Sequence, residues 1–178
     1  STPGPTVSNL SSTRALKDVT AALGQSHFSA AVGEVNVVEE MKKRNAVIGG
    51  EGNGGVIYPA LHYGRDALAG IALFLSLLAK SGLKCSGLRR KYPDYFMAKK
   101  KIELTPDMDP GKIFASIKER FSDYMLDERD GLWLGHPGGW VQVRKSNTEP
   151  IMRIYSEGRT ENEADMLADK IIEIVKKH

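Results

Sequence analysis

The sequence predicts an α/β fold in two parts, an α/β sandwich domain followed by a smaller α+β domain. Three observations carry this. The first half alternates helical and extended patterns. The second half runs strand, helix, several strands, helix. A basic stretch at 82–101, punctuated by Gly82, Gly87 and Pro93, divides the two. At 178 residues the chain can bury a core in each part.

In the first half, Ser11 or Ser12 can cap a helix with apolar positions Ala15, Leu16, Val19, Ala22 and Leu23, stopped by Gly24. A second helix fits Gly33 to Lys43, with Val35, Val38 and Met41 on one face. Ala46-Val47-Ile48 reads as a buried strand entering a glycine cluster. Asp66 caps a helix to about Lys80, ended by Gly82; its apolar positions run almost all round, which predicts a sandwiched helix.

The basic stretch holds Lys84, Arg89, Arg90, Lys91, Lys99, Lys100 and Lys101 against Asp94, and reads as a solvated hinge. Beyond it, Lys101 to Thr105 is a strand. Asp109-Pro110 is a cap with proline at the first helical position, before the stripe Ile113, Phe114, Ile117, Phe121 and Tyr124. Val141, Val143, Ile151, Arg153 and Tyr155 alternate as strands do. Thr160 and Glu163 form a capping box opening a helix through Ala164, Leu167, Ala168, Ile171 and Val175.

Composition excludes several classes. A net charge of +3 is too small to imply nucleic acid by itself. Tyr92, Tyr95 and Phe96 in the basic hinge leave an RNA contact as the weaker alternative to a solvated linker. Cys85 is the sole cysteine and cannot form an internal disulfide. The first residues lack the basic and apolar regions of a signal peptide. The apolar run Ala67 to Ala79 is shorter than the roughly 20 residues that cross a bilayer. These features predict a cytoplasmic protein with no membrane partner.

Two loops can carry chemistry. In Arg144-Lys145-Ser146-Asn147-Thr148-Glu149-Pro150, with Arg153 beyond, planar guanidinium forks bracket a turn rich in side-chain donors. Asn147 tolerates the left-handed conformation an anion nest requires. The same composition also suits an idle hairpin. In Gly49-Gly50-Glu51-Gly52-Asn53-Gly54-Gly55, the spacing of Gly50, Gly52 and Gly55 imitates a dinucleotide fingerprint. The following Val56-Ile57-Tyr58-Pro59 is extended rather than helical, and Glu51 would repel a pyrophosphate. Glu51 and Asn53 on a glycine loop suit a neutral polyol, or form a connection without a ligand. His62 and Arg65 could face the same cleft or lie on the surface. Asp107-Met108-Asp109 and Asp127-Glu128-Arg129-Asp130 read as a helix cap and a solvated turn rather than metal sites.

These two loops, in this order and about ninety residues apart, resemble the α-D-phosphohexomutases, which include phosphoglucomutase/phosphomannomutase and phosphoglucosamine mutase. Val7-Ser8-Asn9-Leu10-Ser11-Ser12 looks like the opening of the family's third domain, with Val32-Gly33-Glu34 following in place. The resemblance implies a third domain over 1–96 and a fourth, an antiparallel sheet with two helices, over 97–178. It assigns sugar hydroxyls to Glu51, Gly52 and Asn53, and the phosphate that is not transferred to Arg144, Ser146, Asn147, Thr148 and Arg153.

It further implies interconversion of hexose 1- and 6-phosphates through a phosphoserine and a bisphosphorylated sugar, assisted by Mg2+ on three aspartates. The chain lacks the family's phosphoserine motif and its D-G-D-x-D-R metal run. The expectation is therefore a C-terminal fragment, inactive alone, whose partners are hexose phosphate and the enzyme's N-terminal domains. A stand-alone sugar-phosphate-binding or regulatory protein is the alternative. Ala31 stands where many relatives have a lysine, Asn53 replaces the commoner serine, and Lys145-Ser146-Asn147 replaces proline-serine-glycine. These variants lean toward the phosphoglucosamine or dual phosphomanno/phosphoglucomutase branches.

Overall fold

Two separate sheets organise the chain, each in its own unit, Ser1–Asp94 and Tyr95–His178. The computed structural model describes residues 3–146 and 148–178. Asn147 lies outside the described residues.

The first unit is built on β1 (Thr6–Asn9), β2 (His27–Ala30), β3 (Ile48–Gly50) and β4 (Val56–Ile57), in spatial order β2-β1-β3-β4. The first three run parallel and β4 antiparallel to β3. α1 (Ala15–Ala22) and α2 (Glu34–Arg44) connect the parallel strands, as parallel pairing demands. The core gathers Val7, Ala30, Val37, Met41, Ala46 and Ile57.

Several expectations need correction here. α1 starts at Arg14 without a side-chain cap, and Ser12 Oγ instead donates to Asn9 Oδ1 at 2.7 Å. On α2 the buried positions are Val37 and Met41, with Val38 packed against the same core, while Val35, in the first turn, is 69% exposed.

α3 (Ala67–Ser81) has the expected Asp66 cap, accepting from the Ala69 N–H at 2.9 Å, and the left-handed Gly82 stop. It is not sandwiched within its unit. Leu68 is 78% exposed, and Ile71, Phe74, Leu75 and Leu77 are also exposed. Only Ala69 is buried among its residues, for α3 meets β4 at its first turn, where Gly70 passes close to Val56. Hydrophobicity all round a helix says that it wants cover, not where the cover comes from. No helix among the described residues is long and apolar enough to cross a membrane.

The basic stretch is not a continuous solvated hinge. α4 (Cys85–Arg89) buries Leu88, and β5 (Phe96–Glu103) takes Lys99, Lys100 and Lys101 into the second sheet, five residues earlier than the predicted start. That sheet adds β6 (Met125–Asp127), β7 (Leu132–His136), β8 (Gly139–Lys145) and β9 (Ile151–Gly158) in antiparallel order β5-β9-β8-β7-β6.

α5 (Pro110–Arg120) and α6 (Glu161–Val175) belong to the same unit. Asp109 Oδ1 accepts from the Gly111 N–H at 2.8 Å, and the Thr160/Glu163 box is complete. The core between helices and sheet includes Ile113, Ile117, Val141, Val143, Met152, Ile154, Ala168 and Ile171. The observed architecture is thus α/β followed by α+β with an antiparallel sheet and two helices. Asp127 and Asp130 are not merely solvated: the Arg129 guanidinium holds the Asp127 carboxyl below its usual range, and Asp130 approaches Arg144.

Candidate functional site

In the first unit, polar groups converge at the carboxyl ends of the parallel strands, where open α/β sheets place ligands. β3 ends at Gly50, whose added Cβ would sit 2.3 Å from the Gly55 carbonyl oxygen. That close approach requires glycine and lets the Glu51 N–H donate to the same oxygen at 2.9 Å. Gly54, at φ +91°, closes the turn. Asn53 is exposed, and its Oδ1 accepts from the Gly55 N–H at 3.0 Å. Gly52 passes close to the backbone of Ser11 and Ser12.

Glu51 points inward from this loop, its side chain only 6% exposed. Its Oε1 accepts from Asn9 Nδ2 at 3.1 Å and from the Gly33 N–H at 3.2 Å, at the N-terminus of α2. Its Oε2 lies 3.3 Å from Arg65 Nη1. Arg65 is shared: its backbone N–H and Nε donate to the two oxygens of Glu34 at 2.9 and 2.8 Å. Arg65 therefore sits half-exposed between two carboxylates. These contacts, the backbone N–H first and the guanidinium next, hold the Glu34 carboxyl below its ordinary range.

Glu51 and Arg65 are thus brought together. His62 is not part of this cluster by any direct bond; its Nε2 lies 3.0 Å from Asp66 Oδ2, at the head of α3. Asn9, Gly33 and Glu34 were not singled out as site residues by composition. The signal for them was positional: each closes a strand or opens a helix beside the glycine loop. With two donors on Oε1, Glu51 keeps acceptor capacity mainly on Oε2, so it suits one ligand hydroxyl rather than two.

In the second unit, the turn between β8 and β9 is closed by the Ser146 N–H donating to the Ile151 carbonyl at 2.9 Å. Arg144 and Arg153 are directly opposite across the two strands, so both guanidiniums leave the same sheet face. Arg144 Nη1 lies 3.6 Å from Asp130 Oδ2, and Arg153 Nη2 donates to Glu149 Oε2 at 2.8 Å. The Ser146 and Thr148 hydroxyls are 3.4 Å apart, with Thr148 exposed. Two cationic forks and two hydroxyls thus collect at one turn, an arrangement that can hold an oxyanion. Among the described residues, no group of three or more His, Cys, Asp or Glu side chains could hold a metal ion.

Residues 1–95 match the model of phosphoglucomutase/phosphomannomutase, alpha/beta/alpha domain III, and residues 116–174 that of the phosphoglucomutase/phosphomannomutase C-terminal domain. The chain belongs to the phosphoglucomutase/phosphomannomutase family. It is 36% identical over 163 residues to a phosphoglucomutase/phosphomannomutase of Thermococcus kodakarensis, a match covering 90% of this chain and 35% of that relative. It is 36% identical over 146 residues to a phosphoglucosamine/phosphogalactosamine mutase of Sulfurisphaera tokodaii, covering 81% and 32%.

Among solved structures, a phosphoglucomutase/phosphomannomutase family protein of Burkholderia thailandensis superposes with TM-score 0.78 at 22% identity, covering 98% of this chain and 38% of that one. An Aspergillus fumigatus N-acetylphosphoglucosamine mutase, solved with glucose 1,6-bisphosphate, gives TM-score 0.72 at 17% identity, covering 98% and 38%. At these identities the structures show a shared fold. The chain therefore spans about a third of the length of these relatives.

Proposed function

We propose that this chain recognises the sugar and one phosphate for a cytoplasmic enzyme that interconverts hexose 1- and 6-phosphates through a phosphoserine and a bisphosphorylated sugar. Residues 1–96 are the sugar-binding domain and 97–178 the phosphate-binding domain. The observation that carries this reading is the pair Arg144 and Arg153, opposite each other at the root of a turn with two hydroxyls, in a family whose named members act on hexose phosphates.

Arg144, Ser146, Asn147, Thr148 and Arg153 hold the phosphate that is not being transferred. Glu51 Oε2, the Gly52 backbone and the Asn53 amide orient sugar hydroxyls, and Arg65 adds a donor fixed by Glu34 and Glu51. These residues bind and orient; none is assigned a proton or phosphoryl transfer. On this reading magnesium and the phosphoserine would both be held by the N-terminal domains of the same enzyme. Magnesium bound there would supply charge stabilisation on the transferred phosphoryl group. The exposed apolar face of α3 supports a fragment reading, since monomeric proteins rarely leave such patches open.

Calorimetric titration of the chain with glucose, mannose and glucosamine 6-phosphates tests this. Saturable binding of at least one is expected, with no turnover when magnesium and a hexose bisphosphate are added. Absence of binding, or robust turnover by the chain alone, would contradict it.

A further inference from the structure

The run Lys99-Lys100-Lys101 divides across the two faces of the second sheet. Lys100 faces the helices, where its Nζ lies 2.9 Å from Asp165 and 2.8 Å from Asp169 of α6. These contacts, Asp169 first, raise its ammonium above the usual lysine range. Lys99 and Lys101 leave by the opposite face. Lys99 Nζ sits 5.6 Å from the centre of the Tyr155 ring, in the row Gln142–Tyr155–Lys99.

The next row is Arg144–Arg153–Lys101, three cations directly opposite one another on three adjacent strands. Like charges placed opposite in a sheet destabilise it. Two of the three have an acid at hand, Asp130 and Glu149. Lys101 is exposed and makes no ion pair among the described residues. Glu103 follows two residues along on the same face, opposite Ile151. Adjacent strands are about 4.8 Å apart, so Lys101 lies about 10 Å from Arg144 in the backbone, a span its flexible stem partly closes.

We propose that Lys101 is a third cation of the phosphate site, a specificity residue that favours dianionic phosphate, at the expense of the unliganded sheet's stability. The proposal rests on the reading of the 144–153 segment as a phosphate site. Its chemistry is that of a compact ammonium adding Coulomb attraction beside the guanidinium forks, without the need for a direct hydrogen bond.

Phosphorus NMR titration of inorganic phosphate, at low and physiological salt, tests it on the full 178-residue chain. Lys101→Ala is expected to weaken binding about three- to fivefold, with a shallower salt dependence. Its Tm in phosphate-free buffer should equal or exceed that of the wild type. Lys101→Arg should retain affinity, and Lys100→Ala should lower Tm with affinity unchanged. Unchanged affinity in Lys101→Ala, alongside lost affinity in Arg144→Ala, would overturn the role of Lys101 and leave the loop reading standing. Weaker binding with a lower Tm would mark a structural lysine and equally overturn it. Unchanged affinity in Arg144→Ala would remove the loop reading itself.

Discussion

Arg144→Ala is expected to weaken hexose 6-phosphate binding tenfold or more while the second unit stays folded. Arg144 is the penultimate residue of β8, and its side chain is partly exposed rather than part of the core. Its stem is braced by Gly131, at φ +69°, whose added Cβ would lie 2.7 Å from Arg144 Cβ and 2.3 Å from the Val143 carbonyl oxygen. Only glycine permits that approach, so the backbone at Gly131 lets the β8 end carry the guanidinium.

Removing the fork deletes charge-assisted hydrogen bonds worth about 1.5–3 kcal/mol each. Asp130, 3.6 Å away, is near enough to orient Arg144 without a short bond to it. Arg144→Lys should recover only part of the loss, since a point charge lacks the bidentate geometry. Calorimetry with a thermal melt of each variant separates lost binding from lost fold. Wild-type affinity in Arg144→Ala would show that the phosphate is held elsewhere.

The second large effect concerns stability. His27 lies in β2 with its Nδ1 2.8 Å from Thr6 Oγ1 and its Nε2 3.3 Å from Ser8 Oγ; Thr6 in turn meets Thr20 Oγ1 at 2.8 Å. Burial first, and the charge of Lys17 second, push its imidazole down to about 4. A base whose folded pKa is depressed contributes nothing to the pH dependence above its unfolded value near 6.5. As pH falls from 6.5 to 4, the unfolded chain takes up the proton and the folded chain resists it, so stability declines.

The size of the decline is about 3 kcal/mol across that window, levelling below the folded value. Glu34 and Asp66, whose carboxyls are held low by Arg65 and by the Ala69 N–H respectively, add losses at lower pH. The His27 part is therefore read as a difference. Urea unfolding of His27→Gln from pH 7.5 to 4 should show a flatter profile than the wild type, from a lower starting stability. Parallel profiles would mean that His27 titrates normally in the folded chain.

Local signals were the readable ones. Asp66, Asp109 and the Thr160/Glu163 box announced three helix starts because a cap is a few residues of hydrogen-bond chemistry, independent of the rest of the fold. The apolar stripe of α6 was readable for the same reason: its period alone selects the buried face. Ser11 and Ser12 misled because Asn9, only three residues before Ser12, competes for its hydroxyl. β2 was passed over because His27-Phe28-Ser29-Ala30 is short and not alternating, and its strand character comes from parallel pairing with β1.

α3 shows the opposite limit. Its composition demanded burial, yet its own unit covers little of it. The glycine loop and Arg65 were visible as residue types, but their joining through Glu34 and Glu51 depends on contacts between positions 31 and 14 residues apart. No short-range pattern encodes such contacts. The cationic row is subtler still, for it exists only once β5, β9 and β8 are in register.

The central claim is that one ligand class, hexose phosphate, is recognised by both the Glu51 loop and the Arg144 loop. Backbone chemical-shift mapping during titration with a hexose 6-phosphate tests it most directly. The account predicts saturable shifts in each unit, concentrated at residues 50–55 with Arg65 in the first and at 144–153 in the second. Shifts absent from both segments at saturation, or confined to residues elsewhere in the chain, would contradict it.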